Sequence, residues 1–241
     1  TLIMTLLFFI TFFFQKKFLQ FIWIPLVFFS QFLFLAKLMT PDAITALLFL
    51  ISVIFLVKNK LYTSYLIMAL TLTFRPDMIV ATGLAGLLPL INKDFRMPIF
   101  NSIMFLSIYF LISASISHNG WWSHFYTSLV STQSNLNLFD PSFDLDKYFE
   151  ILIGNTLWIL NDINYIVWFS LTFIIIFLSA YLILEKKSLW INLITLTLSI
   201  AIIVKFIIFP KVDSRVYMAI LIPVIYCFSL NFISIKKLNP N

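Results

Sequence analysis

Charge is what this sequence has least of. Only 11% of its residues are Asp, Glu, Lys or Arg, where a soluble domain carries about 25%. That is too little polar material to cover a globule of 241 residues in water, and it excludes an ordinary soluble domain. Cysteine is a single residue, Cys227, inside an apolar run, so a disulfide or a thiolate metal cluster within these residues is excluded. Glycine occurs four times. There is no glycine-rich phosphate loop, no Gly-x-Ser-x-Gly nucleophile turn and no Asn-x-Ser/Thr acceptor site. There is also no internal repeat, and the matched Gly/Pro-broken helices of inverted-repeat transporters are missing.

What the sequence does have is long apolar runs, with 61% of residues hydrophobic. A run of about 18 or more apolar residues has the length of a membrane-spanning helix. The runs at 165–184, 189–209 and 216–235 meet that measure. They are apolar on every face and do not alternate, which argues against membrane β-strands. The expected fold is all-α: one transmembrane domain over 1–241, a polytopic helical bundle of about nine crossings. The runs fall at 1–14, 18–36, 43–57, 61–74, 78–91, 97–117, 165–184, 189–209 and 216–235. Those at 61–74 and 78–91 are short, and their hairpin is the weakest pair.

Lysine and arginine in short loops stay on the cytoplasmic side. Lys16/Lys17, Lys58/Lys60, Lys93/Arg96, Lys186/Lys187 and Lys236/Lys237 occupy every second break, so ten of the 16 basic residues share one face. This alternation accounts for the net charge of +6 by topology and removes nucleic acid as a partner. The opposite face takes Asp42, Asp77, Asp140, Asp144, Asp146, Glu150, Asp162 and Asp213. Lys205 lies inside a run, about four residues or roughly 6 Å from its outer end, within snorkelling reach. These assignments place the C-terminus in the cytoplasm and a long loop, 118–164, outside.

Three external turns set an acid at the start of a following helix: Thr40-Pro41-Asp42, Arg75-Pro76-Asp77 and Asp213-Ser214-Arg215. Helix capping explains Asp42 and Asp77 by itself, since Pro suits the first helical position and acids favour the N-terminus. Arg75 ends a helix, where a cation favours the dipole, but a guanidinium at the membrane boundary also suits bidentate phosphate binding. His118, Trp121, Trp122 and Tyr126 open the long loop. They read either as an aromatic anchor, with 121–130 lying flat on the bilayer, or as a substrate platform. Asp140, Asp144 and Asp146 lack the spacing of a calcium loop, and Asp140 before Pro141 fits the cap of a short helix through Tyr148 and Ile151. The long loop is thus expected to carry short interfacial helices.

Met39-Thr40-Pro41-Asp42-Ala43, Phe74-Arg75-Pro76-Asp77 and Asp213-Ser214-Arg215-Val216-Tyr217 together resemble the GT-C superfamily of polytopic, mannosyltransferase-like glycosyltransferases. The resemblance covers most of the chain loosely, through motifs of three to five residues. It implies transfer of a sugar from a polyprenyl-phosphate-linked donor to a glycan, lipid or protein acceptor, on the external face of a bacterial cytoplasmic membrane. It implies substrate-binding roles for Arg75, Asp77, Asp42, His118, Trp121, Trp122, Tyr126, Asp213, Arg215 and Tyr217. A divalent metal is left open as cofactor. The family's catalytic acid belongs to a first external loop, which by the order of the runs is expected upstream of Thr1, so no catalytic residue is assigned. A transporter or lipid flippase, and an O-antigen polymerase or ligase, are the alternatives.

Overall fold

The computed structural model describes residues 41–116, 145–208 and 214–238. Every element among them is helical. The helices are α1 (Pro41–Val57), α2 (Leu61–Phe74), α3 (Ile79–Leu87), α4 (Arg96–Ile116), α5 (Leu145–Asn161), α6 (Ile163–Leu184), α7 (Leu189–Ile208) and α8 (Ser214–Leu238). Short 3-10 turns, Pro76–Met78 and Leu88–Asn92, flank α3. The apolar runs at 1–14 and 18–36 lie outside the described residues.

Among the described residues, two helices have the length and composition to cross a membrane, over Tyr165–Leu184 and Leu189–Ile208. At 1.5 Å per residue, 20 residues span about 30 Å, the thickness of a bilayer's hydrocarbon core. The run at 78–91 is not one helix: α3 has nine residues and gives way to the 3-10 turn at Leu88–Asn92. Pro89 has no N–H to donate and so cannot extend the α-helical ladder. The turn closes on Lys93, which is left-handed at φ 58° and donates its N–H to Leu90 O at 2.8 Å.

The lysine-bearing turns share this construction. Among the described residues, the non-glycine positions with positive φ are Asn59, Lys93, Lys186 and Ser188, all of them in those turns. A left-handed residue after a helix reverses the chain within a few positions, which is how these connections stay minimal.

The core lies where α1, α2, α3, α7 and α8 meet, built on Phe49, Leu50, Val53, Met68, Leu198 and Ile220. Most of its polar residues are small hydroxyls, several of them answered locally. Thr71, Thr195 and Ser199 each donate to the carbonyl four residues earlier, at 2.7–2.9 Å. Such back-bonding lets a hydroxyl sit in an apolar interior. Ser64 instead donates across to Ser52 O at 2.8 Å and ties α2 to α1. Trp190 Nε1 donates to Leu56 O at 3.0 Å and ties α7 to the end of α1. Asn231 donates to Asn192 Oδ1 at 2.7 Å between α8 and α7. Cys227 is fully buried.

The long loop contains a helix of 17 residues, α5, rather than a short one, and it begins at Leu145. Asp146 stands in its first turn, and Asp140 is outside the described residues. The Tyr148 hydroxyl donates to the Ile207 carbonyl, docking α5 on the last turn of α7.

Candidate functional site

The site is built where α2 stops. Arg75 follows the last residue of α2 in an extended conformation (φ −142°, ψ 93°), while its N–H still donates to Thr71 O at 3.2 Å. Pro76 then starts the 3-10 turn, whose Met78 N–H donates to Arg75 O at 3.1 Å. This tight reversal brings the side chains of Arg75 and Asp77 together. Arg75 Nε donates to Asp77 Oδ1 at 2.9 Å and Nη2 donates to Oδ2 at 2.8 Å. The result is the parallel fork-to-carboxylate pairing that a guanidinium is shaped for.

Asp77 has a second cation. Lys205, from α7, places Nζ 2.9 Å from Asp77 Oδ2 and 3.7 Å from Met78 Sδ. Its side chain is 1% exposed, against 23% for Arg75 and 19% for Asp77. The expectation that Lys205 snorkels outward is therefore corrected: it turns inward, because a carboxylate within reach answers its charge better than a 6 Å stretch to the boundary. Removing an ammonium from water costs several kcal/mol, by order of magnitude, unless a well-placed counter-ion offsets it. Burial by itself pushes the Asp77 carboxyl up, but the Lys205 ammonium and the Arg75 guanidinium outweigh that and hold it well below the usual carboxylate range.

Beside this cluster, Phe169, Phe206 and Tyr217 form an aromatic group at the ends of α6, α7 and α8. Phe169 is 5.5 Å from Phe206 and 6.3 Å from Tyr217, centroid to centroid. The cavity that Phe169 and Tyr217 line with Trp168 and Ile202 is about 20 Å³. That is room for about one water and not for a sugar ring. A larger cleft of about 420 Å³ opens between α3, α4 and α7, lined by Val80, Gly83, Leu84, Asn101, Ser102 and Val204. Val80 and Val204 connect it in sequence to Asp77 and Lys205. At its wall α3 and α4 approach closely: a Cβ at position 86 would meet Asn101 Nδ2, and that side chain would have to move aside.

The sequence-derived site residues divide accordingly. Arg75 and Asp77 are paired, as their turn suggests. Tyr217 is buried in the aromatic group. Asp42 and Arg215 fall in the first turns of α1 and α8, and their side chains are outside the described detail. His118, Trp121, Trp122, Tyr126 and Asp213 lie outside the described residues. Lys205 is the residue that sequence reasoning missed as a site member. The available signal was its position: an ionisable group inside an apolar run calls for a named partner.

No family model, curated protein or solved structure matches the chain.

Proposed function

We propose that the protein is a polytopic membrane glycosyltransferase that takes a sugar from a polyprenyl-phosphate-linked donor on the external face. The Arg75–Asp77–Lys205 cluster carries this reading. It fixes a partly exposed guanidinium at the end of an apolar helix, where the phosphate of a membrane lipid resides. A guanidinium held rigidly in advance loses little side-chain freedom on binding. Arg75 then binds the donor phosphate, and the acceptor attacks the anomeric carbon as the carbon–oxygen bond to the phosphate breaks.

The remaining surface supports a bilayer around the helices. Large apolar side chains face outward along α4 (Ile99, Ile103, Leu106) and α6 (Phe173, Ile174), and Phe177 is 72% exposed. In water such a surface would be strongly unfavourable; in lipid it is the expected one. Small residues gather in the helix interfaces, among them Ala46, Ser52, Ser64, Ala81, Ala85 and Ala201, as helices associating within lipid require. The lysine-bearing turns support a cytoplasmic position for Lys58, Lys93 and Lys186 and an external one for α5.

One observation favours a second reading. A buried Lys–Asp pair between helices also serves transporters, where its exchange of partners drives a conformational change. The two readings separate in one preparation. The chain reconstituted in phosphatidylcholine nanodiscs is expected to bind a polyprenyl-phosphate hexose in preference to the free hexose. In proteoliposomes it is expected to move neither across the membrane. Gradient-driven flux of a solute that depends on Lys205, with no binding of the lipid-linked sugar, would sink the transferase reading.

A further inference from the structure

We infer that the adjoining first turns of α2 and α4 form a binding site for an anionic glycerophospholipid, gripped by Lys60 and Arg96. The inference rests on the bilayer reading given above and is independent of the phosphate reading of Arg75. The turn before α2 is closed by two backbone bonds: Asn59 N–H donates to Leu56 O at 3.0 Å and Lys60 N–H to Phe55 O at 2.9 Å. At the turn before α4, the Asp94 carboxylate accepts from the Arg96 N–H at 3.1 Å. The two first turns lie side by side, with the Tyr62 ring meeting Phe100 edge-on, centroids 4.8 Å apart.

An open cavity of about 350 Å³ lies there, lined by Asn59, Lys60, Tyr62, Thr63 and Met97. That is roughly the space of a dozen waters, enough for a phosphate and the glycerol on it. Lys60 is exposed at its wall, Arg96 is exposed beside Met97, and Lys93 is exposed next to Asp94. The first turn of α2 contains no acid, so no carboxylate of that turn competes for Lys60. The Asn59 amide and the Thr63 hydroxyl are suited to the hydroxyls of a glycerol headgroup. One turn further along, Leu66 on α2 and Ile103 on α4 are exposed and apolar, which gives acyl chains a track away from the cavity. Basic pockets between spanning helices on the cytoplasmic side take anionic headgroups. A soluble anion or an acidic protein segment matches the cations but not the apolar track. The turn between α6 and α7 is built differently: Lys187 has Glu185 of its own turn at 3.8 Å, which makes that turn a control.

The test is native mass spectrometry of the 241-residue chain in detergent, with dioleoyl phosphatidylglycerol and dioleoyl phosphatidylcholine competing at equal concentration. The wild-type chain is expected to take its first phosphatidylglycerol with a preference of about tenfold or more. Lys60→Gln and Arg96→Gln are each expected to cut that preference about three- to fivefold, and the double variant to abolish it. Lys60→Arg keeps the charge and is expected to stay within about twofold of wild type, as is Lys186→Gln in the control turn. All three positions are exposed, so melting temperatures are expected to stay at the wild-type value.

A preference that survives in the Lys60→Gln, Arg96→Gln double variant overturns the site. An equal loss in Lys186→Gln makes the preference a property of the whole basic face and overturns it too. Displacement of the bound lipid by soluble glycerol 3-phosphate assigns a soluble anion instead and ends the lipid assignment. Flotation with phosphatidylcholine liposomes tests the bilayer reading separately. A chain that does not float loses that reading and the lipid site with it. A chain that floats but shows no preference for phosphatidylglycerol keeps the bilayer reading and loses the site alone.

Discussion

Lys205 Nζ lies 2.9 Å from the Asp77 carboxylate, so a lysine from an apolar stretch of α7 is anchored in the turn that separates α2 from α3. The pair ties elements far apart in the chain, and each charge is tolerable there because of the other. Removing one member of a buried pair costs about 3–5 kcal/mol, whereas replacing both with apolar or neutral groups is often nearly neutral. Asp77→Asn is therefore expected to lower thermal stability clearly in detergent. Adding Lys205→Met is expected to return most of the loss, a non-additivity that a double-mutant cycle reads directly.

The same cluster predicts an acid-sensitive fold. Asp77 titrates below the ordinary carboxylate range in the folded protein, so its ionised form stabilises the fold at and above its unfolded value of about 3.9. That stability is lost as pH falls through the lower folded value. The melting temperature is expected to hold from about pH 7 to 5 and to drop below about pH 4. Asp77→Asn should lack this component of the drop; an unchanged acid profile would remove the coupling assigned to Asp77.

Arg75→Ala is expected to abolish or greatly weaken binding of a polyprenyl-phosphate sugar while leaving helix content intact. Arg75→Lys should rescue only in part, because an ammonium cannot make the paired contact of a guanidinium. If Arg75 only closes α2, lysine should substitute fully and alanine should cost about 1 kcal/mol or less. Titration of the labelled lipid into nanodiscs distinguishes these results.

Topology is open to chemical labelling. Single cysteines at Ser134 and Ser188, in a Cys227→Ser background, are expected to respond oppositely to an impermeant thiol reagent in intact cells. Position 134 should react and position 188 should not; the reverse would put the long loop inside and end the case for an external site. Native Cys227 is fully buried and should stay silent.

Tyr148→Phe removes the hydroxyl that reaches the Ile207 carbonyl. A single hydrogen bond of this kind contributes about 1 kcal/mol. The main expected effect is local: faster amide exchange in α5, with α7 and α8 unchanged. Equal protection of α5 in the variant would mean that its packing on α6 holds it without Tyr148.

The apolar runs of the sequence were enough to place most helices, since a bilayer-scale run leaves few structural choices. Runs 43–57, 61–74, 165–184 and 189–209 match α1, α2, α6 and α7 to within about two residues, within the usual scatter of helix ends. The Arg75-Pro76-Asp77 turn was legible for the same local reason: proline stops a helix and fixes the chain direction. Lys205 was not legible as a site residue. Its neighbours in sequence are apolar, and nothing local separates a lysine that snorkels from one that turns inward. Only the packing of α7 against α3 put a carboxylate within 2.9 Å of it. The break in the 78–91 run was likewise settled by the turns around α3, where the helix gives way to the 3-10 turn at Leu88–Asn92. Composition and periodicity determine that the chain is helical and apolar, because those are sums over many residues. Which buried charges meet is a matter of a few ångströms between distant segments, and only the tertiary structure decides that.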